Sequence, residues 1–270
     1  MIDADVSAAA TANFVVHATY ASSRRSEARV CAGRDLVVVD SGLEVDTFNI
    51  GCAARLDGER AVAEAIRTVE NGFEGRPFSW WVAPGDEPGD LGSRLEAAGL
   101  VASESELAMA ARLDEQRLGK VPVPSGLRLE RVSGAGQLDS FARLLSENWN
   151  PPEPAVETFF RRSADDLLGP DSPQRFYLAF QEGDARASAG VELTVGGGTV
   201  GVYNLSTRVE YRRRGIASAL MARVLGDVLS SGGSGAILQA TELGAGLYRR
   251  LGFETFGVVT EHKPARRSES

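Results

Sequence analysis

The stretch Tyr203–Leu225, YNLSTRVEYRRRGIASALMARVL, constrains the fold more than any other part of this chain. β-Rich residues run into a polar turn ending at Gly215, and from Ile216 the apolar residues recur at helical spacing. A strand that feeds a helix through a glycine turn leaves backbone N–H groups without intrahelical acceptors. Those groups point outward at the positive end of the helix dipole. Arg212, Arg213 and Arg214 add charge at the same place. Such a turn is either a solvated basic loop or an anion site suited to a pyrophosphate. Glycine at 215 would let a phosphate approach the backbone, and Ala217 keeps the next turn narrow.

The surrounding pattern is α/β. After Gly126, alternation in GLRLERVS predicts a strand, and Leu138, Phe141, Leu144 and Leu145 mark a helix. EPAVETFFRRSADDLL reads as a second helix, with Pro154 in its first turn. RFYLAFQ and ASAGVELTV form a hairpin around EGDAR, and GTVGVYNLST is the next strand. IASALMARVLGDVLSS is a helix, GAILQAT a strand, AGLYRRLG a helix closed by glycine, and FETFGVVTEH the last strand. The order is β-α-α-β-β-β-α-β-α-β, mainly antiparallel at first. The composition break DEQRLGKVPVPSGL, residues 114–127, divides this unit (residues 126–264) from a first unit (residues 1–115). In that first unit DLVVVDSG and TFNIGCAARLD read as paired strands, followed by a helix, the strand FSWWVAP, a helix and a last strand. LGSRLEAAGLVASESELAMAARL parallels AGLYRRLGFETFGVVTEHK, which we read as an old duplication, although helix–Gly–strand junctions recur in many α/β proteins.

Composition excludes several classes. The chain of 270 residues is 43% hydrophobic, enough for a sizeable core, yet no apolar run reaches the roughly 18–20 residues of a membrane span. Its first residues are acidic and do not read as a secretory signal, so a reducing cytoplasm is expected. Two cysteines, Cys31 and Cys52, and two histidines, His17 and His262, make neither a disulfide framework nor a Cys/His zinc site, and no metal is expected. A net charge of −8 argues against a general nucleic-acid binder. Basic residues are almost all arginine, Lys120 and Lys263 excepted, as in GC-rich bacterial genomes.

RRRGIA, residues 212–217, fits the Gln/Arg-x-x-Gly-x-Gly/Ala signature of the GCN5-related N-acetyltransferase (GNAT) superfamily. LYRRLGF, residues 247–253, resembles that family's tyrosine-bearing helix before Leu-Gly-Phe, and the interval from Gly215 to Tyr248 fits too. The resemblance covers residues 126–264 well and the first half loosely, as in a tandem form with a degenerate N-terminal repeat. It implies a mixed, mainly antiparallel sheet with flanking helices, a monomer or homodimer, and acetyl transfer from acetyl-CoA to an amine by direct attack, with a small-molecule acceptor. It further implies that Leu205, Ser206 and Thr207 pair with the pantetheine arm, and that the Leu205 N–H polarises the thioester. Arg212, Arg213, Arg214, Gly215, Ile216, Ala217 and Ser218 would hold the pyrophosphate. Tyr248 would protonate the leaving thiolate, or else simply pack between helix and sheet.

The resemblance breaks at the base. The strand position where many members carry a glutamate falls at Gly201, and the nearest carboxylates, Glu192 and Glu242, are expected on the solvated surface. Tyr203 and Asn204 could hold a water. The first half is expected to lack the anion turn altogether and has Leu95 where Tyr248 would stand. Trp80 or Trp81 could line an acceptor cleft, with the other in the core, and Trp149 with the prolines of WNPPEP would border it. His17 and His262 are expected to be structural or exposed, and the tail ARRSES to be disordered. A non-catalytic acyl-CoA sensor, or use of a longer acyl-CoA, remains open at this stage.

Overall fold

In the computed structural model of the chain, which describes residues 5–265, one sheet of eleven strands runs through both halves. The first half comprises α1 (Asp5–Thr19), β1 (Arg29–Ala32), β2 (Val37–Asp40), β3 (Ile50–Cys52), α2 (Gly58–Gly72), β4 (Ser79–Val82), α3 (Leu91–Ala97) and β5 (Leu100–Arg112). A short α4 (Glu115–Leu118) follows. The second half has β6 (Leu127–Arg131), α5 (Ala135–Ser146), α6 (Pro154–Arg162), α7 (Ala164–Leu167), β7 (Gln174–Gln181) and β8 (Ala187–Gly196). It continues through β9 (Thr199–Thr207), α8 (Ile216–Ser230), β10 (Gly235–Ala240), α9 (Glu242–Arg250) and β11 (Glu254–Pro264).

Strand order decides how the halves relate. It is β1-β2-β3-β4-β11-β5-β10-β9-β8-β7-β6, so each half sends its last strand into the other. β11 pairs antiparallel with β4, and β5 pairs antiparallel with β10. The two travelling strands pair with each other from Glu254↔Ala110 to Pro264↔Leu100. On either side the same pattern recurs: β3 lies parallel to β4, as β9 lies parallel to β10. This is the mixed, mainly antiparallel α/β sheet expected, with the second half in the expected order apart from the additional short α7.

Four apolar clusters cover the sheet, the smallest packing α1 on β2 and β3. One packs α8 and α9 on β5, β7–β10, one packs α5 and α6 on β7, and one packs α2 and α3 on β4. The segment between the halves is more ordered than its composition predicts. Leu118 of α4 is buried and joins the α8 cluster, and the Asp114 carboxylate caps α4 by accepting from the Arg117 N–H.

Two elements have no counterpart in the sequence reading. β1 is an exposed edge strand, without the alternation that would reveal it. α1 is wedged against β8, β9 and β2, and almost all its side chains are half-buried, so no polar face develops. Its anchor is Asn13, fully buried, whose Nδ2 donates to the carbonyls of Thr194 and Gly196 at 3.0 and 2.9 Å. Its Oδ1 accepts from the Tyr203 hydroxyl at 2.9 Å. Among the described residues no helix is long and apolar enough to cross a membrane, and no group of three or more His, Cys, Asp or Glu is placed to hold a metal ion. Residues 266–270 of the ARRSES tail lie outside the described residues.

The exchange makes a direct prediction. A fragment of residues 121–270 keeps β10 and β11 but lacks the strand that joins them, exposing apolar edges. Expressed alone it should aggregate or lack a cooperative melt, and co-expression with residues 1–120 should restore a soluble complex. A cooperative thermal transition for 121–270 alone, followed by circular dichroism, would contradict this.

Candidate active site

The walls of the main cleft come from both halves and enclose about 820 Å³. Its origin is a parting of strands. β9 and β10 pair in parallel only as far as Val202↔Leu238, after which they separate. On the other edge, Glu192 pairs with Tyr203 but Gly190 pairs with Ser206, so β9 carries a bulge. Asn204 sits in that bulge with φ +55°, a conformation asparagine tolerates better than most residues. The bulge turns Leu205 and Thr207 into the cleft, while Ser206 turns away, buried, its hydroxyl donating to Asn148 Oδ1 at 3.0 Å. Only the backbone of Ser206 is therefore available to a ligand.

At the cleft's end lies the arginine turn. Gly215 caps α8 in the left-handed region, φ +79°, and Arg213 shares it at φ +62°. None of the backbone N–H groups of residues 213–218 has an acceptor among the described residues; the first bond into the helix is Ala219 N–H to the Gly215 carbonyl. A row of unpaired donors at a helix start is an anion site by construction. Arg212 is held by its Nε donating to the Thr207 carbonyl, and Arg214 lies over the Tyr211 ring. Arg212 and Ala217 line the cleft, Arg213 and Arg214 are exposed, and Ser218 is half-buried. The Ile216 side chain departs from the expected role. It is buried in the α8 core, as the first inward position of an amphipathic helix must be, so it offers only its N–H.

Tyr248 closes the same cleft from α9, which starts where the Thr241 hydroxyl accepts from the Gly244 N–H. The ring is nearly buried and meets Phe253 edge-on, 6.0 Å between centroids. Burial, and then the nearby Glu106 charge, push its hydroxyl above the ordinary tyrosine range, so it stays protonated throughout the useful pH range.

The far wall comes from the exchanged strands. Glu104 and Glu106 of β5, Glu261 and Lys263 of β11, Asp46 and Trp81 all line the cleft. Trp80, by contrast, is wholly buried beneath α2 and α3. Lys263 Nζ bridges Asp46 at 2.9 Å and Glu261 at 3.1 Å. Glu104 and Glu106 have no cation partner among the described residues. Burial, then Glu104 and Glu261, raise the Glu106 carboxyl to about 7. Trp149 and Asn148, at the start of the WNPPEP run, complete the border.

Two expectations are overturned here. Glu192 is not a surface carboxylate: it is 1% exposed, on the cleft floor. Its Oε1 lies 2.8 Å from His17 Nδ1 and accepts from Gln174 Nε2 at 2.7 Å and Thr194 Oγ1 at 3.1 Å; Oε2 accepts from Asn204 Nδ2 at 2.9 Å. Burial by itself would raise its carboxyl, but the His17 charge and these donors outweigh burial and hold it below the usual range. His17, expected to be structural or exposed, instead lines the cleft and stacks on Tyr203 at 3.8 Å and 11°. Sequence spacing could not join these residues, because α1 meets β8 across some 175 positions. Tyr203 and Asn204, donating to Asn13 and Glu192, are committed to protein partners. Glu242 is exposed, as expected.

The first half does carry a geometric counterpart of the arginine turn. Gly58, φ +81°, opens α2 three residues after Arg55. Asp57 and Glu59 flank it, however, and their charge opposes a phosphate there. Leu95, in place of Tyr248, is fully buried on α3.

A family profile described as "Acetyltransferase (GNAT) domain" matches residues 131–256. A mycothiol acetyltransferase of Clavibacter michiganensis subsp. michiganensis is 30% identical over 234 residues, covering 84% of this chain and 74% of its own. Among solved structures, a GCN5-related N-acetyltransferase from Kribbella flavida superposes with a TM-score of 0.70 at 20% identity, covering 94% of this chain and 95% of that one. A tandem GNAT protein from the clavulanic acid biosynthesis pathway superposes with a TM-score of 0.57 at 15% identity, covering 90% and 85%. At these identities the structural likeness speaks to the fold.

The arginine turn can be tested by separating charge from strain. Asparagine tolerates φ +79°, and an added Cβ meets only Pro124 Cγ at 3.6 Å. Gly215→Asn should keep most coenzyme A affinity. Gly215→Asp, nearly isosteric but anionic, should lose about tenfold or more relative to it, equivalent to ~1.4 kcal/mol. Equal affinities for the two variants by calorimetry would remove this turn as the phosphate site.

Proposed function

The chain belongs to the GCN5-related N-acetyltransferase family and transfers acetyl groups, and from that premise we propose that it acetylates a small cationic amine bound between its two halves, with acetyl-CoA as donor. The observation that carries this reading is the pairing of opposites across one cleft. The arginine turn, the Leu205–Thr207 backbone and Tyr248 line the donor side, and the uncompensated Glu104 and Glu106 line the acceptor side.

On this reading the pantetheine arm enters where β9 leaves β10, and its amides pair with the backbone of residues 205–207. The pyrophosphate takes the free N–H groups of residues 213–218, with Arg212 beside it. The Leu205 N–H faces the thioester oxygen as negative charge develops on it. The neutral amine attacks the carbonyl carbon, the C–S bond breaks, and the Tyr248 hydroxyl gives its proton to the thiolate. Thiol and phenol have ordinary pKa values of roughly 8.5 and 10, and burial raises Tyr248 further, so its hydroxyl stays protonated until a thiolate forms beside it.

Charge supports a cationic acceptor. Asp46 and Glu261 share the single charge of Lys263, and Glu104 and Glu106 have no cation partner among the described residues, so this wall presents net negative charge to an incoming ligand. Of the two, the half-buried Glu106 is screened less by solvent than the exposed Glu104. The Clavibacter relative's name, mycothiol acetyltransferase, makes the unacetylated form of mycothiol the first acceptor to try. We further propose the division into residues 1–115 and 126–264 as two copies of one ancestral unit. The first copy now serves as the acceptor wall, because the acids around Gly58 oppose coenzyme A.

The decisive assay follows thiol release from acetyl-CoA with a panel of amines. Tight coenzyme A binding without release for any amine would make the protein an acyl-CoA sensor instead. Tyr248→Phe should leave folding and coenzyme A affinity nearly unchanged and lower kcat by about 10²–10⁴-fold where proton transfer limits. An unchanged kcat, with chemistry shown to limit, would rule out the acid role. Glu106 ionises through about pH 7, so KM for a permanently cationic acceptor should fall from pH 6 to pH 8. Glu106→Gln should raise KM and flatten that dependence, and a KM indifferent to this substitution would place the ammonium elsewhere.

A further inference from the structure

We propose that His17, on the N-terminal helix α1, is the general base that takes the proton from the acceptor ammonium, with Glu192 as its positioning residue. The inference rests on the acetyl-transfer reading above and supplies the base which that reading lacks. It starts from a steric fact. A Cβ at Gly201, the strand position where the family resemblance places a glutamate, would collide with Asn13 Oδ1 and the Tyr203 ring. The space a strand-borne base would use is filled by α1. One helical turn beyond Asn13, on the same face of α1, stands His17.

The geometry around the imidazole fixes its chemistry. Glu192 accepts at Oε1 from Gln174 and Thr194 and at Oε2 from Asn204, and an ionised carboxylate only accepts. His17 Nδ1, 2.8 Å from Oε1, is therefore the donor, and in the neutral ring the lone pair is on Nε2. No group among the described residues bonds Nε2, and the side chain is 20% exposed, on the cleft. Stacking on Tyr203 at 3.8 Å fixes the ring plane. Tyr203 precedes Asn204 in the bulge that presents Leu205, so the base stands beside the strand to which the thioester is assigned.

The other acids of the cleft fit less well. Glu192 has its oxygens occupied by four partners. Asp46 and Glu261 are held by Lys263, and Glu104 is exposed to solvent. Glu106 lies near Tyr248, on the acid's side of the cleft, where its charge is felt by the phenol. The groups facing His17 itself are Glu192 and Thr194 from β8, Tyr203 from β9 and Gln174 from β7, with Arg212, Tyr248 and Lys263 as the remaining titratable groups of the cleft. The step balances. Nε2 takes one proton from the ammonium, the freed amine forms the C–N bond, the C–S bond breaks, and Tyr248 protonates the sulfur. The second proton of the amine leaves as the tetrahedral centre collapses; of the two protons, one returns through solvent to the Tyr248 phenolate and the other is released to bulk before the next turnover.

Two readouts on the full chain test this. The first is the pH profile of kcat at saturating acceptor, where the contribution of Glu106 to KM drops out. His17→Gln should lower it by about 10²–10⁴-fold and abolish its acidic limb, with acetyl-CoA affinity unchanged, and imidazole in the buffer should restore part of the rate of His17→Ala. Glu106→Gln should retain the acidic limb. The second needs no turnover. With only two histidines, long-range ¹H–¹⁵N spectra resolve His17, assigned by its loss in His17→Gln. The neutral ring should be the Nδ1–H tautomer in the wild type and a mixture in Glu192→Gln. An Nε2–H tautomer in the wild type overturns the proposal, as does an acidic limb that survives in His17→Gln and vanishes in Glu106→Gln. If no amine is acetylated by the wild type, the acetyl-transfer reading falls, and the tautomer still decides whether Nε2 can accept a proton.

Discussion

The antiparallel pairing of β5 with β11 is the interaction on which the rest of the molecule depends. It lies at the centre of the sheet, joins strands from opposite ends of the chain, and sets β4 and β10 on either side. Without it the halves would be two small sheets, each missing an inner strand. With it, one cleft is walled on one side by β9, α8 and α9 and on the other by residues of β5 and β11. The carboxylates of the acceptor wall thus occupy the strands whose pairing holds the halves together, which couples the site's geometry to the main cohesive contact. Strand pairings of such high sequence separation form late and are cooperative once formed.

α1 is the second constraint. Asn13 bonds the ends of β8 and β9 from inside, and the helix packs closely enough that β9 needs glycine at 201. A buried amide with several satisfied bonds is a specific lock, since removing it would strand the Tyr203 hydroxyl and two carbonyls at about 1–3 kcal/mol each. The same packing brings His17 to Glu192. Absence of a strand glutamate and presence of a helix histidine are thus two consequences of one steric arrangement.

What was legible in the sequence follows from range. The arginine turn, its glycine, the strand before it and the tyrosine helix are local patterns set by spacings of three to thirty-odd residues, and they read directly. The hairpin of β7 and β8 reads for the same reason. Glu192, His17, Glu104 and Glu106 do not, because their meaning lies in contacts across distant segments. Glu192 looks like any carboxylate in an alternating strand until Gln174, Thr194, Asn204 and His17 converge on it. α1 was invisible for a different reason: a helix enclosed on most sides has no polar stripe to betray its period. The strand exchange had no local signal at all. A helix–Gly–strand junction recurs in both halves, but nothing in it says whether a last strand returns to its own sheet or crosses.

The two glycine turns show how such a molecule can divide its labour. Gly58 and Gly215 both hold a left-handed backbone at a helix start. Three arginines precede Gly215, whereas Asp57 and Glu59 flank Gly58, so the local charge is basic at one turn and acidic at the other. Backbone geometry is held by packing, which both halves still need for the shared sheet; side-chain charge at an exposed turn is held by ligand binding alone. On the proposed duplication, the first half would have lost its anion chemistry while keeping its shape. β5 is under a stricter requirement. Met109 and Ala111 face the α8 core while Glu104 and Glu106 face the cleft, so along one strand the buried positions serve cohesion and the open ones line the proposed acceptor wall. The half that would have least to do in coenzyme binding is for that reason the half the enzyme can least spare.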